Sequence, residues 1–322
     1  MSQSGAAPTT LHIGLWKTAT TMLQFEVFPK FEGCTLLTRG PSDEGGAFRA
    51  LADDLCRSDA AGYDVGAFRS YLADRAGSND QPMLISHEAF AGAAFEAVGN
   101  RERNAERLHA LVPDAQVLLV VRHQRTMFRS LYTYYVQRGG SGTVARVLGN
   151  RAPGWDFTWE ILCYDALVEC YQERFGPDRV KVLAYEQLVN DPQGFLEEIA
   201  AFVGVPVPGD ANLRAIANRG LSRPSRWVLR HANRLLRRSR FNERPVLGAH
   251  DLEPLVRTLQ GKFDRKLLRT VGHGFGRSDE ARIDALVARY GPSNARLERL
   301  TGLDVRALGY PYADPGSPMS GR

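Results

Sequence analysis

The chain is predicted to fold as an α/β domain, a central parallel sheet flanked by helices on both faces. Two observations predict it. Short apolar or β-branched runs alternate with longer stretches of helical periodicity. One of those runs, Val117 to Val121, is apolar throughout, as a strand covered on both faces should be. Composition agrees: 43% of the 322 residues are hydrophobic and 24% charged, ordinary for a folded chain and far from disordered or fibrous usage. The length admits one large domain or two of about 150 residues each.

Taken in order, the first strand is expected over Thr10 to Leu15, leading into a helix over Thr20 to Val27 that Pro29 stops. Strands follow at Cys34 to Thr38 and Pro82 to Ser86. A helix from Asn100 to Leu111 ends before Pro113, and Gln116 to Val121 is the central strand. A helix over Thr126 to Gln137 ends at the Gly139-Gly140 pair, and Phe157 to Phe175 is again helical. The fifth strand is Arg179 to Ala184. Asn190-Asp191-Pro192 then reads as a cap with proline in the first turn of a helix to about Val203.

After Pro208 the strand signals stop, and helical, arginine-rich sequence runs to about Leu303. The expected organisation is a flexible N-terminus (1–9), an α/β core (10–225), a helical C-terminal region packed on that core (226–310) and a loose tail (311–322). No internal repeat is evident. No apolar run reaches the roughly 18 to 20 residues that a membrane span needs, and the first ten residues lack the marks of a signal peptide, so a cytoplasmic chain is expected. The four cysteines, Cys34, Cys56, Cys163 and Cys170, form no CxxC pair and no metal-ligand spacing with histidine; reduced thiols and no structural metal are expected.

The net charge is +5, and only five of the 41 basic residues are lysine. Between Ala211 and Asn242 there are nine arginines and no Asp or Glu, a local field that an anionic partner would meet. The stretch Trp227 to Arg238 is spaced to give one helix a basic face and an apolar face. Three readings stand for it: a solvated helix covering the core, a grip on an acidic glycan or lipid headgroup, or a rest on an anionic membrane.

The chemistry concentrates at two places. The first is Gly14-Leu15-Trp16-Lys17-Thr18-Ala19-Thr20-Thr21, a strand running into a helix through a turn with one lysine and three threonines. N–H groups at a helix start lack intrahelical partners and the helix dipole favours an anion there; the threonines add hydroxyl donors and Lys17 a full charge. The spacing is not the GxxxxGK[ST] of nucleotide-hydrolysing loops. The second place is Arg122, at the end of the central strand, followed by Ser130 on the next helix. A guanidinium at the carboxyl end of a central strand stands where open α/β sheets bind ligands.

Together these segments resemble the sulfotransferases that use 3′-phosphoadenosine 5′-phosphosulfate (PAPS), whose fold is P-loop-like. The first matches the phosphosulfate loop "GxxKTGTT", with Ala19 where glycine is usual, and an alanine there is expected to avoid the positive φ that glycine tolerates. The resemblance implies that Lys17, Thr18, Ala19, Thr20 and Thr21 hold the 5′-phosphosulfate and that Arg122 and Ser130 hold the 3′-phosphate. Asn218-Arg219-Gly220 resembles the late Arg-Gly element that closes over that phosphate, and Tyr185-Glu186-Gln187-Leu188 with Asp191-Pro192 resembles the "YExL…DP" segment of bacterial members. The resemblance spans about residues 10 to 225.

What it implies for function is sulfuryl transfer from PAPS to a hydroxyl or amine, a glycan or glycolipid being the expected acceptor, with no metal required. Lys17 is the expected cation for charge growing on the bridging oxygen. Ser86-His87-Glu88 at a strand end resembles the segment carrying the general base, with His87 the first choice and Glu88 the competitor. The alternatives are a P-loop small-molecule kinase using ATP and, outside enzymes, a basic nucleic-acid- or membrane-binding protein. Nucleic acid is not the expected partner, since charge alone supports it.

Overall fold

The computed structural model describes residues 7–40, 43, 46–57, 63–76, 81–92, 100–155, 157–209, 221–247 and 274–313. The strands are β1 (Thr9–His12), β2 (Thr35–Thr38), β3 (Met83–Ser86), β4 (Gln116–Val121) and β5 (Val180–Ala184). The helices are α1 (Thr20–Met22), α2 (Ala47–Arg57), α3 (Val65–Arg75), α4 (Asn100–Leu111), α5 (Gln124–Gln137), α6 (Val144–Leu148), α7 (Tyr164–Phe175), α8 (Tyr185–Asn190), α9 (Pro192–Val203), α10 (Arg223–Leu236), α11 (Arg277–Val287) and α12 (Gly291–Thr301).

The chain forms two compact units that interleave in sequence: residues 1–123, 158–216 and 292–317 in the first, 124–157, 217–291 and 318–322 in the second. This differs from a single boundary near residue 225. The hand-over comes directly after β4, because α5 is tied to α10 and α11 by long-range hydrogen bonds and ion pairs that local periodicity does not reveal.

In the first unit the five strands are all parallel, in the order β2-β3-β1-β4-β5. On one face Leu84, Leu118, Val120 and Leu183 pack against Leu23 and Val27 of the segment following β1 and against Leu188, Leu196 and Ile199 of α8 and α9. On the other face lie α4 and α7, where the Tyr171 hydroxyl donates to the Phe90 carbonyl at 3.0 Å. Val117 to Val121 are all buried, as a strand covered on both sides requires. Asp191 caps α9 by accepting from Gly194 N at 3.0 Å, with Pro192 in the first turn.

Some boundaries differ from expectation for local reasons. β1 stops at His12 because Gly14 takes φ +55 and turns the chain away, although Ile13 N still bonds Leu118 O at 3.1 Å. α1 widens into a π-helical turn over Leu23–Val27. The helix expected over 157–175 is broken at Cys163 into a 3-10 turn (Trp159–Leu162) and α7. α2 and α3 are additional to the expected elements, yet Phe48, Ala52, Leu55 and Cys56 have helical spacing and all are buried. Asp43 and Asp64 accept from the first N–H groups of these helices.

In the second unit Asn233 of α10 donates through Nδ2 to the carbonyls of Val136 (2.7 Å) and Gly140 (3.0 Å), satisfying the C-terminal end of α5. Arg237 donates to Gln137 O at 2.7 Å. Arg129 pairs with Glu280 at 2.6 Å and Arg125 with Asp284, joining α5 to α11. The Gly139-Gly140 stop has a steric cause as well: a Cβ on Gly140 would stand 2.4 Å from the Tyr135 ring.

Candidate anion-binding cleft at the strand ends

The strand order decides which loops meet. β1 lies between β3 and β4, so the Lys17 loop leaving β1 is flanked at the carboxyl edge of the sheet by the ends of those two strands. In parallel α/β sheets this edge, where the strand order turns back, is where ligands bind. The segment after β3 is held to β1 by His87 N to His12 O (3.2 Å) and Ala91 N to Ile13 O (3.1 Å). Gly14 closes the approach: a Cβ there would lie 3.0 Å from the Glu88 Cα and 3.3 Å from Thr20 Oγ1. Any side chain at position 14 would push the two loops apart.

On the β4 side, Arg122 reaches across and donates through Nη1 to the Lys17 carbonyl at 2.6 Å. A charge-assisted bond of this kind contributes about 1.5 to 3 kcal/mol. The guanidinium lies over the Tyr185 ring, 4.2 Å from its centroid, and the Tyr164 hydroxyl donates to the Arg122 carbonyl at 2.7 Å. Burial lowers the Arg122 guanidinium from its ordinary value, opposed by Tyr185 and Glu186, and an arginine remains charged throughout. Burial likewise raises the Tyr164 phenol, so it serves as a donor. Glu186 accepts from His123 N at 3.2 Å and from the Tyr310 hydroxyl at 2.9 Å, fixing the turn after Arg122. The Tyr-Glu pair therefore acts twice on this turn, the ring supporting the arginine and the carboxylate holding the backbone beyond it.

The loop itself is strained. Among the described residues three non-glycine positions take positive φ, and two of them, Lys17 and Ala19 (both 65°), stand here. Ala19 therefore adopts the conformation that its Cβ disfavours, at a cost of roughly 1 to 2 kcal/mol. Strain of this kind persists where surrounding contacts impose it, and it clusters at functional sites. The threonines also depart from expectation. Thr18 and Thr20 are buried, and both hydroxyls donate to the Leu15 carbonyl, at 2.6 and 3.0 Å. They brace the turn from within, while Thr21 is exposed at the helix start.

The two base candidates are placed differently. His87 is only 4% exposed, packed against the Phe48 and Phe90 rings, with Nε2 3.6 Å from Asp53 of α2. Burial lowers its imidazole to about 4, with Asp53 opposing and Arg39 adding to the shift. The Glu88 side chain is 28% exposed beside the loop and pairs with Arg39, just beyond β2, at 2.8 Å. Arg39 and Asp53 lie 49 and 34 positions before their partners, and no motif marks them. Beneath the loop His12 bonds Ser86 Oγ at 2.7 Å, and Gln24 donates to the same hydroxyl at 2.9 Å. His12 is wholly buried, which lowers it to about 3.

Ser130 belongs to the second unit, half-buried on α5. Arg219 and Gly220 lie outside the described residues. Cys34 and Cys56 are pushed up by burial to about 11 and about 12, so neither offers a thiolate near neutral pH.

Two expectations follow. Ala19→Gly releases the αL strain, less the backbone entropy that glycine adds, and should raise unfolding free energy by about 0.5 to 1 kcal/mol in chemical denaturation with an unchanged m-value; a loss of stability would show that Ala19 is not strained. For pH, His12 and His87 have folded values far below the ordinary 6.5, so above that pH both are neutral in either state. As pH falls from about 6.5 toward about 4.5 the unfolded chain takes up protons that the folded chain refuses, and stability falls by up to about 1.4 kcal/mol per pH unit for each histidine. His87→Gln should remove one proton from that slope; an unchanged slope would mean that His87 titrates normally in the fold.

Comparison with known proteins bears on what such a cleft belongs to. Residues 65–209 match the model of the sulfotransferase family, a stretch that includes Glu88 and Arg122 and begins after the Lys17 loop. No curated protein matches the chain in sequence. Among solved structures, a sulfotransferase from Alicyclobacillus acidocaldarius is 16% identical over 94% of this chain and 99% of its own, with a TM-score of 0.56. A mouse sulfotransferase, SULT7A1, complexed with PAP, is 15% identical over 94% and 89%, with a TM-score of 0.43. The sulfotransferase domain from the curacin biosynthetic pathway is 14% identical over 88% and 98%, with a TM-score of 0.38. Residues 65–209 are thus similar to the sulfotransferase family, and the chain shares the fold of the Alicyclobacillus acidocaldarius sulfotransferase, with its parallel five-stranded sheet.

Proposed function

We propose that this protein transfers a sulfuryl group from PAPS to a hydroxyl or amine acceptor by in-line displacement. The observation that carries the reading is the bond from Arg122 to the Lys17 carbonyl, which brings a strand-end guanidinium and a lysine-bearing helix start to one edge of the sheet. A donor with anionic groups at both its 5′ and 3′ ends suits such a pair. The 5′-phosphosulfate takes the helix-start N–H groups and the Lys17 ammonium. The Arg122 guanidinium, set at this edge by the Lys17 carbonyl and the Tyr185 ring, is the group for the 3′-phosphate, which a guanidinium can meet with two parallel N–H donors. Lys17 then neutralises charge growing on the bridging oxygen as the S–O bond breaks.

For the base, the proposal favours Glu88 over His87. Glu88 is partly exposed beside the Gly14 turn, whereas His87 is enclosed by aromatic rings and Asp53. The acceptor oxygen forms the new O–S bond and gives its proton to the Glu88 carboxylate; adenosine 3′,5′-bisphosphate leaves with the electron pair of the broken bond. Arg39 holds that carboxylate in place, and His87 positions the turn that presents it. A glycan or glycolipid hydroxyl is the acceptor class expected from the family resemblance.

Labelled sulfate should pass from PAPS to an acceptor in a mixed glycan and glycolipid extract, and calorimetry should show adenosine 3′,5′-bisphosphate binding in preference to Mg-ATP. Preferential ATP binding with no sulfuryl transfer would overturn the proposal in favour of a kinase. Glu88→Gln should lower kcat by about 10²-fold or more while bisphosphate affinity stays within about threefold. If His87→Gln stops turnover and Glu88→Gln does not, the base is His87.

A further inference from the structure

α10 is built the opposite way from a helix that merely covers a core. Its buried side carries Ser225, Arg226, Leu229 and Asn233. Asn233 and Arg226 are inside because their side chains satisfy backbone carbonyls: Val136 and Gly140 for the first, Leu221 and Gly274 for the second. The apolar bulk is outside. Trp227 is 59% exposed, Val228 and Leu235 41% each, and Val246 and Leu247 65% and 69%. These five are most of the eight large hydrophobic residues exposed among the described residues, and they fall within 21 positions.

The patch is continuous rather than scattered. Trp227, His231 and Leu235 follow one another at four-residue spacing, on one line of the helix. The Trp227 and His231 rings lie 4.3 Å apart, which holds the indole against the helix surface. Val246 and Leu247 are hydrogen-bonded back to the last turn, N to Arg234 O at 3.2 Å and N to Leu235 O at 2.8 Å, beside the same line. Arg223, Arg234, Arg238 and Arg244 are exposed around it, with no ion pair to a described carboxylate, and Glu243 is the one acid between Leu221 and Leu247.

We infer that this face docks on the surface of an anionic lipid bilayer. An exposed tryptophan and branched aliphatics rimmed by arginine are the complement of an acyl boundary under negatively charged headgroups. Among the described residues no helix is long and apolar enough to cross a membrane, so the contact is peripheral. Charge complementarity selects lipid over a neutral apolar partner: an uncharged groove would gain nothing from four arginines at its rim. The docking does not depend on the proposed sulfuryl transfer, since none of these residues takes part in it.

The test is co-sedimentation of the full chain with vesicles of 3:7 phosphatidylglycerol to phosphatidylcholine and with pure phosphatidylcholine, at low and at moderate salt. Binding to the anionic vesicles, at least tenfold weaker on the neutral ones and reduced by salt, is expected, together with quenching of tryptophan fluorescence by brominated acyl chains. Trp227→Ala with Leu235→Ala should weaken partitioning about tenfold or more, and so should the charge reversal Arg234→Glu with Arg238→Glu, whose positions are exposed and test the idea even if the first pair disturbs packing. Absence of pelleting with the anionic vesicles, equal binding to neutral ones, or binding indifferent to both variants would overturn the inference. A dimer in sedimentation velocity that Trp227→Ala dissolves would also overturn it, assigning the face to a second copy.

Discussion

The bond from the Arg122 guanidinium to the Lys17 carbonyl is the constraint on which the cleft depends. It spans 105 positions of sequence and joins the end of β4 to the loop that leaves β1, which, and not β4 as the apolar run suggests, is the middle strand of the sheet. It draws on a stack of supports, with the Tyr185 ring beneath the guanidinium, the Tyr164 hydroxyl on the Arg122 carbonyl, and Glu186 on the next amide. Each support comes from the first unit, from the first residues of α7 and α8, so the arginine is positioned by packed helix starts and not by its own loop alone. The positive φ at Lys17 is then intelligible: the backbone turns so that its carbonyl faces the guanidinium.

A polar layer lies directly under this edge of the sheet. His12, Ser86 and Gln24 form one buried chain, and His87 with Asp53 forms a neighbouring pair. Neutral histidines in such places fix the ends of β1 and β3 through their hydrogen bonds, and the same burial that makes them good structural joints makes them poor proton acceptors near neutrality. That division of labour separates His87, which shapes the turn, from Glu88, which is partly exposed and paired with Arg39. Sequence adjacency conceals it, because consecutive residues leaving a strand point in opposite directions.

Much of the fold is legible because period and punctuation survive in the chain. All five strands stand where apolar runs predict them, α4 and α9 coincide with their expected bounds, and residue chemistry alone marks the Lys17 loop and Arg122 as places for an anion. What escapes reading is set by tertiary partners. Nothing local tells that Thr18 and Thr20 turn inward to the Leu15 carbonyl, or that Ala19 is forced left-handed. Arg39 and Asp53 act on residues far along the chain. Periodicity gives the basic helix an apolar side fit to cover the core; instead Asn233 and Arg226 are drawn inside by carbonyls up to 97 positions away, and Trp227 and Leu235 are left outside. Hydrophobic periodicity assigns faces only when burial follows hydrophobicity, and here backbone hydrogen bonding took precedence.

The Lys17 loop and the Arg122 turn are held to form a single cleft for one doubly anionic nucleotide. Amide hydrogen exchange followed while adenosine 3′,5′-bisphosphate is added reads both segments at once. Joint slowing at Gly14–Thr21 and at Val121–His123, with one shared half-saturation concentration, is the expected result. Protection of one segment without the other, or of neither at saturating nucleotide, would contradict a common site.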